Sequence, residues 1–345
     1  MNRELLELLD RLKKDPDPDL RRQWTSAAIV NNAGAIPQLN HPNDDSVWNR
    51  GFNLVLVGPD GSPTHFCKCR PRGEPSAVHE GEVAERLGRL DDLRDVVSVA
   101  RVLSNNRLQL LAMPFLAGEV MVDRLAQMDL GPWLRTIGEL AGVAARLTAS
   151  AAAAGMMKEP PPVGVARTFT EAGADHLDYL ATLGLETAAV RVLGRVLADG
   201  GRFVPSCQHG DFWASNVLGR ADGGYRVIDF ERFGRVSSPM FDVFQLLRTS
   251  WDGYRNETTR DRSWLTAFAS PDAIRTAWQA IFGKALIAHS LEADQLEAAL
   301  ALYLIEALAW YRRRSVDPLF WAGLDRDIRL FVPMAGSGKP WLHTI

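Results

Sequence analysis

One stretch of the chain, residues 207–231, constrains the fold more than any other. It contains Asp211, which is followed five positions later by Asn216, and then two short apolar runs separated by Asp-Gly-Gly. An Asp-Gly pair between apolar runs predicts a tight β-hairpin. The second run leads into Asp229, so the hairpin is expected to bring Asn216 and Asp229 to neighbouring ends of its strands. The sequence therefore predicts a loop and a hairpin that gather one amide and two carboxylates.

Oxygen-rich side chains of this kind suit magnesium, which keeps water and phosphate oxygens in part of its coordination shell. That chemistry suggests phosphoryl transfer, in which a carboxylate orients the acceptor hydroxyl and metal ions neutralise the phosphates. The alternative is an ordinary polar hairpin, in which Asp211 and Asn216 are only turn formers. The spacing favours the catalytic interpretation, because several residues would otherwise have to agree by chance.

Composition excludes several other classes of protein. The 345 residues carry a formal net charge of -3 and a pI of about 6.2, which argues against a nucleic-acid partner. Cys67, Cys69 and Cys207 cannot form a disulfide framework or a zinc site of the usual spacing. The N-terminus lacks a signal-peptide pattern, and the longest apolar run, 298–310, is interrupted by Glu306 and too short to cross a bilayer. We therefore expect a cytoplasmic protein without a membrane partner.

The first part of the chain is predicted to be a sheet preceded by an extension. Residues 1–40 contain leucines at helical spacing, but their role stays open. Residues 52–57 and 64–70 flank Gly-Pro-Asp-Gly and predict a hairpin. Period-two alternation places Lys68 on the face opposite Cys67. A strand lysine in isolation is usually a solvated edge residue.

The rest of the chain is predicted to turn from strands to helices. Residues 76–90 predict a helix, and residues 96–103 and 107–112 predict two strands. The second of these strands leads into Met-Pro-Phe-Leu-Ala-Gly at 113–118, where the strand pattern ends. Apolar residues at helical spacing then predict helices at 133–154, 188–197, 272–287, 291–313 and 317–330.

The catalytic stretch resembles a known family. His-Gly-Asp-x-x-x-x-Asn at 209–216, followed by Ile-Asp-Phe-Glu at 228–231, resembles the catalytic loop and metal-binding segment of the aminoglycoside phosphotransferase and choline kinase-like family. The resemblance implies an α+β, bilobal protein kinase-like fold, with a small β-rich N-lobe and a larger, mainly helical C-lobe. It divides the chain into an N-terminal extension (1–40), a nucleotide-binding N-lobe (41–114) and a C-lobe (115–345) with the catalytic loop and the acceptor-binding helices.

The same resemblance implies roles for individual residues. Asp211 would orient and deprotonate the acceptor hydroxyl, while His209 would brace the loop. Asn216 and Asp229 would hold Mg²⁺. Asp242, near the head of a later helix, would also brace the catalytic loop, although a carboxylate at a helix N-terminus is stable without such a role.

The family places a lysine of the N-lobe on the phosphates of ATP or GTP and pairs it with a glutamate of the next helix. Lys68 fits that lysine, and the candidates for its partner are Glu80, Glu82 and Glu85. Glu82 is the predicted partner, because the family's glutamate usually precedes an apolar pair on the same helix. The helical registration could differ by one turn.

Residues 113–118 resemble the family's hinge, where backbone groups meet the adenine. Met113, Phe115 and Leu116 are therefore predicted to contact the nucleotide. Pro114 has no N–H and can offer only its carbonyl, so the donor would come from Phe115 or Leu116. The alternative is a simple exit from a strand into a loop, because an apolar run followed by glycine is common.

One element of kinases is missing from the sequence. No Gly-x-Gly-x-x-Gly loop precedes Lys68, and residues 45–53, which include Gly51, are the candidate for its place. This departure and the proline of the hinge favour an alternative, a nucleotide-binding or partner-binding pseudokinase without turnover. The intact Asp211, Asn216 and Asp229 favour the enzyme.

The acceptor is predicted to be a small molecule with a hydroxyl group. Only twelve residues separate Asp229 from Asp242, too few for the activation segment of a protein kinase. Gly210 also replaces the arginine that receives an activation-loop phosphate in regulated protein kinases. Residues 250–264 are the nearest candidates for an acceptor pocket, but their mixed charge does not single out a polycationic aminoglycoside. The acceptor, the choice between ATP and GTP, and the oligomeric state stay open.

Overall fold

A computed structural model describes residues 3–30, 51–73, 75–156, 206–236, 238–254, 263–269, 273–314 and 318–336. The helix predicted at 188–197, residues 45–50 of the candidate phosphate loop and residues 255–262 of the candidate acceptor region lie outside these ranges. The chain forms two compact units. The first unit comprises residues 1–119 and 217–232, and the second comprises residues 120–216 and 233–345.

The described part of the first unit contains a five-stranded antiparallel sheet in the order β1-β2-β3-β5-β4. The strands are β1 (Ser26–Val30), β2 (Phe52–Val57), β3 (Pro63–Pro71), β4 (Arg101–Ser104) and β5 (Leu108–Pro114). The hairpin predicted around Gly-Pro-Asp-Gly is β2 and β3 and is confirmed. The strand predicted to start at residue 96 starts only at Arg101.

Strand β3 alternates as predicted. Its inward-facing residues, His65, Cys67 and Cys69, are fully buried, whereas Lys68 lies on the opposite face. Burial raises the pKa of both thiols, so Cys67 and Cys69 stay protonated and pack as small apolar side chains.

Two helices belong to the first unit. Helix α1 (Arg3–Leu12) has a leucine face that is buried in the same apolar cluster as residues of β2, β3, β4 and β5. Helix α2 (Pro75–Gly88) follows β3 and packs on β4 and β5. Part of the predicted extension is therefore built into the core of the sheet.

The hairpin predicted at Asp-Gly-Gly is also confirmed. After a two-residue strand, β6 (Glu119–Val120), the strands β7 (Val217–Gly219) and β8 (Tyr225–Val227) pair antiparallel. The N–H of Val227 donates to the carbonyl of Val96 at 2.9 Å. Residues 96 and 97 thus contact β8 rather than extending β4, which explains why β4 is shorter than predicted.

The described part of the second unit is mainly helical. Its helices are α3 (Met121–Leu125), α4 (Leu130–Ala153), α5 (Phe241–Gly253), α6 (Ala273–Ala288), α7 (Leu296–Arg314) and α8 (Pro318–Gly336). An aromatic cluster joins α4, α5 and α6, with Trp133 in ring contact with Trp251, Tyr254 and Trp278 at centroid distances of 4.7–6.2 Å. Among the described residues, none of the helices combines the length and apolar character that a membrane span needs. A β-rich first unit and a helical second unit confirm the α+β class.

Candidate active site

A buried carboxylate at the start of α5 holds the predicted catalytic loop. Asp242 is only 1% exposed, and its two oxygens accept the N–H of His209 at 2.7 Å and the N–H of Gly210 at 2.8 Å. Hydrogen bonds to an ionised acceptor are stronger than neutral ones, and losing them would leave two buried donors unsatisfied. The bracing contact predicted for Asp242 is therefore present.

A second brace, Gln208, is not marked by the sequence motif. Its Nε2 donates to the carbonyl of Ser238 at 2.8 Å, and its Oε1 accepts the N–H of Asp242 at 3.2 Å. Its own carbonyl accepts the N–H of Gly234 at 2.8 Å. Gln208 thus ties the loop to two segments that follow it by about thirty residues in sequence. A single sequence offers no local pattern for such contacts.

His209 supports the loop from inside. Its side chain is fully buried, its ring meets Phe212 edge-on at 5.9 Å, and its Nδ1 accepts the N–H of Asp211 at 3.3 Å. Gly210 has a φ of 78°, a left-handed conformation that glycine adopts without strain. The backbone therefore turns between His209 and Asp211 in a way that a larger residue would resist.

Asn216 lies five residues after Asp211 and contacts it directly. Its Nδ2 donates to the backbone carbonyl of Asp211 at 2.9 Å and to Oδ2 of Asp211 at 3.3 Å. The amide nitrogen is thus committed to Asp211. Asn216 is therefore positioned against the predicted catalytic carboxylate, and its role as a metal ligand stays a prediction.

The first unit holds the other predicted charged residues in one cluster. The Lys68 ammonium lies 2.8 Å from both carboxylate oxygens of Glu80 and 2.7 Å from Oδ1 of Asp229. The side chain of Lys68 is 12% exposed, that of Glu80 is 3% exposed, and that of Asp229 is 32% exposed. Lys68 is therefore a buried ion-pair partner, and the interpretation as a solvated edge lysine is wrong.

The predicted glutamate of this pair is corrected by the structure. Glu80 contacts Lys68, whereas Glu82, the predicted partner, is exposed. Two positions along a helix correspond to a rotation of about 200°, so Glu82 points away from the sheet when Glu80 faces it. Glu85, the third candidate, instead contacts Arg101 at 2.7 Å.

The electrostatics of the cluster follow from one cation shared by two carboxylates. Burial alone would lower the pKa of Lys68. The attraction of the Glu80 and Asp229 carboxylates has a larger, opposite effect, so the pKa of Lys68 is raised. Burial raises the pKa of Glu80 to about 7, with a further upward contribution from Asp229, although Lys68 opposes both. The ammonium therefore stays charged, and the cluster carries surplus negative charge when both carboxylates are ionised.

Two backbone features fix this cluster. A Cβ placed on Gly81 would lie 2.0 Å from Cγ2 of Val102, so only glycine allows α2 to approach β4 this closely. Asp229 has a φ of 69°, which is uncommon for a residue with a side chain and is typical of functional turns. Both features lie next to the Lys68 contacts.

The predicted hinge begins at the end of β5. The N–H of Phe115 donates to the carbonyl of Thr64 at 2.8 Å, so it serves the sheet. Alternation along the strand directs the carbonyl of Pro114, the last residue of β5, away from β3. On that side, the pairing of β4 reaches only as far as Ala112. Of the two candidate donors, Phe115 therefore donates to the sheet, and Leu116 stays the predicted donor.

Gly51, the glycine of the candidate phosphate loop, has a structural role. Its φ is 77°, and a Cβ there would lie 2.7 Å from Cδ of Arg70 and 2.8 Å from the carbonyl oxygen of Cys69. The close approach of the chain to β3 thus requires a glycine at this position.

Three aromatic residues of the candidate acceptor region, 250–264, lie in the core. Trp251 and Tyr254 pack in the aromatic cluster of α4, α5 and α6, and both are buried. Trp264 is fully buried, and its indole N–H donates to Oδ2 of Asp327 at 3.0 Å. These three side chains are therefore packing residues.

The two predicted metal ligands, Asn216 and Asp229, both offer oxygen atoms. Among the described residues, no group of three or more His, Cys, Asp or Glu side chains could cage a metal ion. Asn216 Oδ1 and the Asp229 carboxylate are hard oxygen donors, and magnesium typically takes one or two protein oxygens together with phosphate and water.

Comparison with known proteins identifies a matching family. The model of the phosphotransferase enzyme family (APH) matches residues 51–278. No curated protein shows a significant match to the sequence.

Solved structures of similar fold include aminoglycoside phosphotransferases. A mutant of aminoglycoside 2'-phosphotransferase-IIIa in complex with GDP is 14% identical, covers 97% of this chain and 98% of its own, and gives a TM-score of 0.52. A thermostable mutant of APH(4)-Ia, in a ternary complex with ADP and hygromycin B, is 9% identical over 98% of both chains, with a TM-score of 0.52. At these identities the similarity establishes the fold alone, and it confirms the predicted protein kinase-like fold.

Proposed function

Because this chain belongs to the phosphotransferase enzyme family (APH), we propose that it transfers the γ-phosphate of ATP or GTP to a hydroxyl group of a small molecule. The observation that carries the proposal is the buried ammonium of Lys68, held by Glu80 and Asp229. A charged lysine held in one position by two carboxylates would be suited to bind nucleotide phosphates, the role that a lysine has in phosphoryl transfer.

Asp211 is proposed as the residue that acts on the acceptor. Its carboxylate would accept the proton of the acceptor hydroxyl while the acceptor oxygen forms a bond to the γ-phosphorus. The bond from that phosphorus to the bridging oxygen breaks, and the nucleoside diphosphate leaves. The contacts of Asp211 with Asn216 and His209 support this role, because phosphoryl transfer depends on positioning more than on covalent chemistry.

Lys68 and the hinge are proposed to bind the nucleotide. The ammonium of Lys68 stays protonated and would neutralise charge on the phosphates, while both oxygens of Glu80 fix its position. The carbonyl of Pro114 and the N–H of Leu116 would meet the edge of the purine. Met113 and Phe115 would contribute contact surface rather than hydrogen bonds.

We assign Asn216 Oδ1 and the Asp229 carboxylate as the protein ligands of Mg²⁺, which when bound would offset the negative charge of the phosphates. Asp229 is the more exposed carboxylate of its cluster, which supports a role toward a ligand. His209 and Asp242 would act on the loop and not on the substrate.

The test is nucleoside diphosphate release by the purified protein with magnesium, for ATP and GTP separately. The acceptor panel holds aminoglycosides, amino sugars, simple sugars and amino alcohols. Asp211→Asn preserves the size of the side chain and is expected to lower acceptor-dependent release by at least about 100-fold, within the range of general-base contributions. Asp222→Asn, in the exposed turn of the β7–β8 hairpin, is the matched control.

Two outcomes would contradict the proposal. Release that is independent of acceptor and equal in wild type and Asp211→Asn would exclude Asp211 as the catalytic carboxylate. Measurable nucleotide binding without transfer to any acceptor would instead favour the pseudokinase.

A further inference from the structure

Arg101, on β4, connects the N-terminal segment to the helix that carries Glu80. Its Nε lies 3.1 Å from Oδ2 of Asp15, and its Nη1 lies 2.7 Å from Oε1 of Glu85. The side chain of Arg101 is 22% exposed, that of Asp15 is 4% exposed and that of Glu85 is 27% exposed. This bridge is largely shielded from solvent, where ion pairs are screened less and geometry matters more.

The Asp15 end of the bridge is firmly anchored. Asp15 follows α1, whose leucine face is buried in the core of the sheet. Its Oδ1 accepts the N–H of Asp17 at 2.9 Å, which orients the carboxylate. Further along the same segment, the carbonyl of Leu20 accepts a hydrogen bond from Nε2 of the buried His65 at 2.9 Å. Arg101 therefore rests on a segment that the sheet holds in place.

The Glu85 end of the bridge lies on the helix that also carries Glu80, the partner of Lys68. Glu85 lies on α2, five residues after Glu80, which corresponds to about 7.5 Å along the helix axis. A helix of this length moves as a rigid rod, so a shift or rotation at Glu85 also displaces Glu80. The contacts of Glu80 with Lys68 have lengths of 2.8 Å and leave little room for such a displacement.

We propose that Arg101 is a positioning residue for phosphoryl transfer: braced by Asp15, it holds α2 through Glu85 and so keeps Glu80 on Lys68. The N-terminal segment is thereby an internal brace of the nucleotide-binding residues. This inference rests on the proposed function and adds a residue that the family motif does not include. Arg101 itself would touch neither nucleotide nor acceptor.

The test compares Arg101→Met with Arg89→Met. Arg89 also contacts Oε1 of Glu85, at 2.5 Å, but it is 64% exposed and lies in the turn that directly follows α2. That contact therefore carries no information about where α2 sits on the sheet. Arg101→Met is expected to lower kcat about tenfold, the lower end of what a charge-assisted hydrogen bond contributes. Arg89→Met is expected to change kcat less than twofold.

A double-mutant cycle separates positioning from general stabilisation. If Arg101 acts through Glu80, the loss in Arg101→Met/Glu80→Gln is much smaller than the product of the two single losses. Multiplicative losses would overturn the inference and leave the proposed function standing. Arg101→Met also strands the buried Asp15, so Glu85→Gln serves as a second variant that preserves the Arg101–Asp15 contact. It is expected to reproduce the reduced kcat.

Hydrogen exchange gives a readout that does not depend on activity. Peptides covering residues 77–88 are expected to exchange faster in Arg101→Met and Glu85→Gln than in wild type, and Arg89→Met is expected to match wild type. Unchanged exchange in both bridge variants would overturn the inference. If the wild type transferred phosphate to no acceptor, the proposed function would fail, while the exchange experiment would still decide whether Arg101 positions α2.

Discussion

The close contact between Gly81 and Val102 makes a strong prediction for Gly81→Ala. The new Cβ would lie 2.0 Å from Cγ2 of Val102 and 3.1 Å from Cδ1 of Leu111. Carbon atoms in ordinary contact are about 3.5–4.0 Å apart, so α2 and β4 would have to separate by roughly 1.5 Å. Because Glu80 is the neighbouring residue, its 2.8 Å contacts with Lys68 would stretch beyond hydrogen-bonding distance.

The size of the effect follows from the contact that is lost. A hydrogen bond between charged groups contributes about 1.5–3 kcal/mol, which corresponds to roughly 10- to 150-fold in rate. A displacement of about 1 Å in a catalytic group costs a similar factor, about 100-fold. We therefore expect Gly81→Ala to lower kcat/KM about 100-fold while the protein remains folded.

The assay is steady-state release of nucleoside diphosphate with the best acceptor of the panel. Gly81→Ala/Val102→Ala is the decisive variant, because Val102→Ala removes the clashing Cγ2, and the Cβ of residue 102 would lie at an ordinary 3.5 Å. The kcat/KM of this double variant is expected to be at least about tenfold higher than that of Gly81→Ala. A tenfold increase requires only about 1.4 kcal/mol from the restored contact between Glu80 and Lys68. Wild-type kcat/KM in Gly81→Ala, or no recovery in the double variant, would refute the reasoning.

Three further predictions concern single side chains. Glu80→Gln is expected to lower kcat/KM at least about tenfold, and Glu82→Gln less than twofold, because, of these two residues, Glu80 is the one that contacts Lys68. Equal effects of the two variants in the same assay would contradict this assignment. A Cβ added at Gly138 on α4 would meet no atom within 4 Å. Gly138→Ala should therefore raise the free energy of unfolding, measured by urea titration, by up to about 1 kcal/mol. A decrease in that free energy would contradict the open space at this position. Burial lowers the pKa of His289 to about 4, so the unfolded chain takes up a proton between pH 6.5 and 4 that the folded protein refuses. As the pH falls through that window, the free energy of unfolding of wild type should decrease by up to about 3 kcal/mol relative to that of His289→Gln. A difference in unfolding free energy that does not change with pH would contradict the lowered pKa.

Short-range patterns made the core of the site predictable. Alternation along β3 placed Lys68 opposite Cys67, and the spacing of Asp211 and Asn216 predicted their convergence; both features depend on residues within one loop or strand. The hairpin before Asp229 was predictable for the same reason, because a hairpin turn depends on the few residues within it.

Contacts between distant segments were not predictable from a single sequence. The choice of Glu80 over Glu82 depends on the rotation of α2, which the approach of Gly81 to Val102 fixes. The hydrophobic periodicity of a helix determines which residue faces the sheet only to within about one turn when both faces carry glutamates. The role of Gln208 likewise depends on segments that meet it only in the folded chain.

The burial of α1 in the sheet has a practical consequence for any shortened form of the protein. A fragment limited to residues 51–278, the part that the family model matches, would lack both α1 and β1. The apolar face covered by the leucines of α1 would then meet water, and β2 would become an open edge of the sheet. Exposed edges and apolar faces promote aggregation, so such a fragment should be poorly soluble even though it contains Lys68, Asp211 and Asp229. We therefore expect the smallest unit that folds to be larger than residues 51–278, the part of the chain that the family model matches.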